Sequence, residues 1–456
     1  MSALSEAPGH DAQPAADRRA IRSWMLFDWA AQPFHTLIIT FIFAPYFAAY
    51  VAPDPVQGQA DWAMASTIGG LLIAFMAPIV GALSDATGPR KPWIFGFSVV
   101  AVIGSLSLWF AAPEPTSFNI ALALVGFVVA LIGFEFAAIF NNAMMPGLVG
   151  RDRLGSLSGN AWALGYAGGL VSLVLVMGFM AADPQSGRTF FGLEPILGLD
   201  PQRLEGERAA GPLTALWYIV FVIPLFAFTP DAPRRTGVAN AVRKGLAQLV
   251  ETIRGLPSHR SLLAFLASSM FYRDALNGVY AFGGIYVIGV MGWTTIQIGI
   301  FGILASVIAI AGSILAGCFD VRIGTKKVVA IAIVLLIATA LGFVSIAPGE
   351  VFFVKVDADS PLPDVAIYGL VSVMGAAGGA LQAASRPLLV DQVDHPERMG
   401  EAFGLYALSG RATAFLAPFG IWLFTELSGS QRIGITPVIG LFVIGLVLLI
   451  PVRSRT

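Results

Sequence analysis

Apolar residues in this chain come in long runs rather than in the short periodic stripes of water-facing helices and strands. Twelve runs stand between charged or Pro/Gly-rich breaks, at 24–50, 62–83, 94–111, 118–140, 158–181, 213–229, 262–289, 297–318, 328–347, 366–390, 402–425 and 433–451. A helix needs roughly 20 apolar residues to cross a hydrocarbon layer of ~30 Å, so the pattern predicts an all-α membrane protein of twelve transmembrane helices. The first run follows Arg18, Arg19 and Arg22 and contains Asp28. It outlasts a signal-peptide core of roughly 7–15 residues, which predicts a retained span. The long connection 230–261 divides the chain into a tail 1–23, a six-helix unit 24–229, the linker itself, a second six-helix unit 262–451 and a tail 452–456. Within the linker, VANAVRKGLAQLVETIRGL at 238–256 reads as an amphipathic helix able to lie along the membrane surface.

Composition agrees: the chain is 56% hydrophobic and 12% charged, where a soluble domain carries about 25% charged residues. A net charge of −1 with no basic stripe excludes a nucleic-acid partner. The basic residues are unevenly placed. Nineteen of the 27 fall on the side of the termini and five, Arg188, Arg203, Arg208, Lys355 and Arg432, on the far side. Basic residues in short loops are retained in the cytoplasm, so both termini are expected there. The two long far-side loops, 182–212 and 348–365, read as solvated connections. Seven tryptophans (Trp24, Trp29, Trp62, Trp93, Trp109, Trp217 and Trp293) lie mostly near run ends, the position of interface anchors. The single cysteine, Cys318, reads as a small core residue. The four histidines are scattered, so no metal site is expected. No phosphate loop, nucleophile elbow or H-E-x-x-H occurs, so neither an enzyme nor a cofactor is expected.

The two units echo each other. GALSDATGPRK after the second run carries Gly81, Asp85, Gly88, Arg90 and Lys91; AGCFDVRIGTKK after the eighth carries Asp320, Gly324, Lys326 and Lys327. Gly155 and Gly159, entering the fifth run, find a counterpart in Gly400 and Gly404 entering the eleventh, and small residues at this spacing let helices approach closely. Two echoes at matching ordinals argue for duplication. Two six-span halves joined by a basic linker are the layout of a secondary transporter whose halves rock about a central cavity.

GALSDATGPRK resembles the signature loop of the major facilitator superfamily, with Ala86 where that family usually has a basic residue. Three further stretches, FDWAAQPFHTLIITFIFAPYF at 27–47, FYRDALNGVYAFGGIYV at 271–287 and GEAFGLYALSGRATAFLAP at 400–418, resemble the bacterial UMF1 branch related to the autophagy protein Atg22. Asp28 with Trp29, Tyr272 with Asp274, and the run from Gly404 to Gly410 followed by Arg411 carry that likeness, which extends from about residue 22 to 450. It implies the major facilitator fold, the bacterial inner membrane and a small-molecule substrate; fungal relatives are associated with amino acid export from the vacuole.

Charged side chains at mid-membrane are costly and face a cavity or a partner. The candidates for substrate or proton coupling are Asp28, His35, Glu135, Arg273, Asp274, Asn277, Tyr280, Gln382, Arg386 and Arg411. Arg273 and Asp274 lie near the middle of the seventh run and need partners on other spans: Asp28 or Glu135 for Arg273, Arg411 for Asp274. Neutralising either is expected to abolish transport. Arg386 lies near enough to the membrane edge to snorkel, which leaves Arg411 with the better claim to the cavity. Both signs of charge suit a zwitterion such as an amino acid, moved by alternating access on its own gradient or a proton gradient. A monomer is expected, and the alternative is a membrane scaffold or lipid-handling protein on the same fold, in which this set would hold the two halves together without touching a solute. The signature loops are read as cytoplasmic gating loops.

Overall fold

A computed structural model describes residues 17–150, 153–233, 254, 257, 259–357, 359–393 and 399–453, with the backbone alone at 84–87, 155 and 399–401. The amphipathic stretch at 238–256, the Asp85 side chain, Gly155 and the Gly400 side of the second echo therefore lie outside what is described.

Among the described residues, twelve helices are long and apolar enough to cross a membrane: span 1 Arg18–Val51, span 2 Pro55–Leu83, span 3 Lys91–Phe110, span 4 Ser117–Gly147, span 5 Ser156–Met180, span 6 Glu205–Phe228, span 7 Arg260–Met291, span 8 Thr295–Ile323, span 9 Thr325–Val344, span 10 Leu362–Asp391, span 11 Ala402–Ser428 and span 12 Gln431–Leu449. They form two six-helix halves with the same internal packing. Span 1 packs on span 6 as 7 does on 12, 2 on 4 as 8 on 10, 3 on 4 as 9 on 10, and 3 on 6 as 9 on 12. The contacts between halves repeat in the same way, span 2 against 11 and span 8 against 5.

Prolines stand at the breaks of spans 1 and 11, whereas Pro78, Pro224 and Pro387 lie in continuous helices. Pro33 has no N–H to offer the Trp29 carbonyl one turn back, and the Trp217 indole supplies that donor at 3.0 Å. Beyond Pro33 the helix widens into a π segment, Phe34–Phe41, and breaks at Ile42. Pro418 acts likewise on span 11. The ring of a proline clashes with the carbonyl four residues earlier, and the helix stops after Ala412 and restarts as Leu416–Ser428.

The echoed loops do matching work at the end of the molecule that carries the termini. Lys91 Nζ donates to the Phe226 carbonyl in the last turn of span 6 (2.9 Å), and Lys326 Nζ to the Ile450 carbonyl just past span 12 (2.7 Å). Both are cations at a helix C-terminus, where the dipole favours them. Gly88 and Gly324 turn these loops with φ of 85° and 87°, values that L side chains disfavour. Asp231, which sequence reading passed over, accepts the backbone N–H of Arg90 (2.8 Å) and Lys91 (3.0 Å) and so caps span 3 from the end of span 6.

Several expectations are corrected. Trp24 and Trp62 are 2% and 0% exposed, Trp293 is 3% exposed, and Trp24 donates to the Asn141 carbonyl at 2.8 Å. They pack helices together instead of anchoring an interface. Cys318 is exposed, among the outward-facing Ile314, Leu315 and Phe319, instead of in the core. Gly159 and Gly404 have nothing within reach of an added Cβ; the close approach on span 5 is made further along, at Gly168 against Trp29.

Candidate functional site

On the termini side of the span midpoints, acids of the first half face arginines of the second. Glu135 on span 4 and Arg411 on span 11 form a cross-half salt bridge, Nε to Oε2 at 3.6 Å, each side chain about a quarter exposed. Asp28 on span 1 lies within electrostatic reach of Arg386 on span 10, and His35, two turns beyond Asp28, within reach of Glu135. The Arg386 guanidinium sits 5.8 Å from the Trp162 ring centre on span 5, so it points across the interface instead of snorkelling to the membrane edge. Tyr166, one turn after Trp162, donates its hydroxyl to Gln382 Oε1 at 3.1 Å. Tyr280 on span 7 lies beside Gln382 and Gly378.

Trp162 and Tyr166 are 49% and 40% exposed although they lie on a face turned toward the other half. Asn277 on span 7 is exposed as well. Polar and aromatic surface that is exposed yet faces across the interface marks a solvent-accessible space between the halves. That space is closed at the far end. There Phe41 meets Phe301 edge-on with centroids 6.4 Å apart, and a Cβ on Gly284 would strike the Thr40 carbonyl and one on Gly302 the Phe41 ring. Gln59 donates to Thr425 Oγ1 at 2.9 Å, Gln431 to the Pro55 carbonyl at 2.9 Å, and the Thr295 hydroxyl to Glu207 Oε1 at 2.9 Å. Among the described residues the hydrogen bonds between the halves are these far-end ones and the bond from Tyr166 to Gln382.

The expected partners of Arg273 and Asp274 are not the ones the structure shows. Arg273 Nη1 donates to the Tyr406 carbonyl at 2.8 Å and its guanidinium lies 4.2 Å over the Tyr406 ring, within its own half. Asp274 is 2% exposed, and its Oδ2 accepts the Ala417 N–H at 2.7 Å. That N–H is an orphan of the first turn after the break at Pro418, so Asp274 caps the second segment of span 11 from span 7. Arg411, freed from Asp274, reaches Glu135. Sequence reading also missed Trp162, Tyr166 and Glu207. The first two stand in a glycine-rich stretch that reads as packing, and Glu207 stands in a charged stretch that reads as loop. Among the described residues no group of three or more His, Cys, Asp or Glu side chains could hold a metal ion.

A family model described as "Vacuole effluxer Atg22 like" matches residues 55–455. The MFS-type transporter YxiO of Bacillus subtilis (strain 168) is 24% identical over 444 residues, which cover 95% of each chain. Autophagy-related protein 22 of Cryptococcus neoformans var. neoformans serotype D (strain JEC21 / ATCC MYA-565) is 22% identical over 313 residues, 66% of this chain and 50% of that protein. Among solved structures, a mutant of the nucleoside transporter NupG superposes with a TM-score of 0.64 at 15% identity, covering 95% of this chain and 98% of its own. A POT family transporter in complex with 5-aminolevulinic acid reaches a TM-score of 0.64 at 10% identity, covering 95% and 96%. With twelve spans in two matching halves and a family model that runs over most of its length, the chain belongs to the Atg22-like vacuole effluxer family and is a multi-pass membrane transporter of the major facilitator fold.

Proposed function

We propose that this protein moves a small zwitterionic solute, of the amino acid class, by alternating access through the central space. The observation that carries the reading is the division of charge: Asp28 and Glu135 stand on one half, Arg386 and Arg411 on the other. An ammonium group suits the two carboxylates, and a carboxylate suits the planar fork of an arginine, which binds it bidentately. Glu135 and Arg411 pair across the two halves. A bound zwitterion replaces that pair with two charges of its own and draws the halves together around it, because it interacts with both halves only when they close. Trp162, Tyr166, Asn277, Tyr280 and Gln382 line the same space and supply hydrogen bonds and aromatic faces. Arg273 and Asp274 belong to the scaffold that sets span 11 in place. The excess of basic residues on the termini side supports a bacterial inner-membrane protein with both termini cytoplasmic, in which case the sealed end is the outer one. The protein works as a monomer, since each chain supplies both halves of the site.

The test is ligand-induced thermal stabilisation of the purified protein, using free amino acids beside their N-acetylated and C-amidated derivatives. Free amino acids are expected to raise the unfolding temperature and both derivatives to fail, because each lacks one charge. Equal stabilisation by a neutral sugar or nucleoside would overturn the zwitterion reading.

A further inference from the structure

The far-end seal has two polar edges. On one, spans 2, 11 and 12 meet through amides and a hydroxyl: Gln59 Nε2 donates to Thr425 Oγ1 (2.9 Å) and to the Gln431 carbonyl (3.3 Å), and Gln431 Nε2 to the Pro55 carbonyl (2.9 Å). None of these groups titrates, although the Asp61 carboxylate of span 2, which accepts from Gln57 at 2.8 Å, faces Glu426 of span 11 beside them. On the other edge, spans 6 and 8 meet through Glu207, whose Oε1 accepts the Thr295 hydroxyl at 2.9 Å. Glu207 is 1% exposed and, among the described residues, forms no salt bridge.

The charged and titratable groups around it leave it uncompensated. Arg208, next in sequence, is turned away: its Nε donates to the Trp109 carbonyl at 2.8 Å and its guanidinium lies 4.8 Å over the Trp109 ring. Tyr46 and Tyr50 of span 1 face Glu207, and the Tyr46 hydroxyl is spent on the Ala111 carbonyl at 2.7 Å. Asp183 faces Tyr50. Arg203 pairs with Asp200 at 3.8 Å. The end of span 5 that packs here, Val176–Met180, brings no charge. A carboxylate cut off from water, with a hydroxyl as its side-chain donor among the described residues, carries a desolvation penalty that little offsets. Parting the halves at this end admits water and removes that penalty.

We propose that Glu207 is a proton-binding site built into the far-end gate. As the halves close at that end, its carboxylate takes a proton from hydronium on that side, leaving water and a neutral carboxylic acid; when the halves part, the proton returns to the same compartment. The proposal rests on the alternating-access reading above and adds a proton site outside the central space. Acid on the far side holds that end shut.

The experiment measures distances between nitroxide labels at Glu114→Cys and Asp359→Cys, both exposed far-end positions, in a Cys318→Ala background in lipid nanodiscs, from about pH 5 to about pH 9. Expected is one short distance at acid pH and a longer population that grows along a one-proton titration as pH rises. Glu207→Gln is expected to hold the short distance at every pH. Thr295→Val removes a donor to the charged form and is expected to move the transition to lower pH. A wild-type distance that ignores pH, or a Glu207→Gln protein that titrates as wild type does, overturns the proposal. No solute is present, so failure here leaves the central-site reading to its own test.

Discussion

Asp274 offers the sharpest separation of scaffold from site. Replacing it by Ala removes the acceptor of the Ala417 N–H, a bond of 2.7 Å at a position 2% exposed. Leaving a buried donor unmet costs about 1–3 kcal/mol. Asn keeps an acceptor oxygen at nearly the same place, so Asp274→Asn should lose less than about 1 kcal/mol. At ~2–4 °C per kcal/mol for folding units of 150–250 residues, the size of one half, the Ala protein should unfold ~2–12 °C below wild type. Thermal unfolding of the purified proteins in one detergent, followed by tryptophan fluorescence, gives the order wild type, Asn, Ala. An Ala protein as stable as wild type, or an Asn protein that falls as far as Ala, would refute the cap.

Three further outcomes follow. In a double-mutant cycle of Glu135→Gln and Arg411→Gln, unfolding free energies should show a coupling of about 1 kcal/mol, as for a partly exposed pair; strict additivity would mean that the two charges do not meet. Gly302→Leu would push into the Phe41 ring and prop the far end apart. Labelling of Thr40→Cys by a membrane-impermeant maleimide added on that side, in the Cys318→Ala background, should then rise several-fold, and unchanged labelling would show that the seal lies elsewhere. The far-side hairpin pairs Glu350–Val351 with Val354–Lys355, and its exposed turn residues Phe352 and Phe353 have φ of 51° and 63°. Bulky residues are strained there, at about 1–3 kcal/mol each, whereas Asn-Gly suits such a turn. Phe352→Asn with Phe353→Gly should therefore raise the unfolding temperature, and a fall would show that the rings matter more than the turn.

The spans were legible because a bilayer admits few solutions: an apolar run of sufficient length, broken by charge or proline, becomes a helix. The echo between Lys91 and Lys326 was legible for a related reason, since both sit where a chain must turn back over a helix end. What did not show was the choice of partners. Arg273 and Asp274 are neighbours in sequence, yet one leans on the Tyr406 carbonyl and the other caps a segment created by Pro418, and nothing local to span 7 announces a break in span 11. Arg386 looked near enough to the membrane edge to snorkel, and only the placement of Trp162 on the facing half turns it inward. Glu207 escaped notice because Glu205, Glu207 and Arg208 make the first turn of span 6 look like loop. Its significance lies in being buried against span 8, a tertiary fact with no local trace in the sequence.

The central claim, that the halves alternate around a solute held between Asp28, Glu135, Arg386 and Arg411, is tested most directly by counterflow. Proteoliposomes loaded with a mixture of amino acids, small peptides and sugars are diluted into trace label of each class, with wild type beside Arg411→Gln at equal abundance. Transient accumulation of a labelled amino acid by wild type, lost in Arg411→Gln, is the predicted result. Accumulation of that label by Arg411→Gln at the wild-type rate would contradict the account.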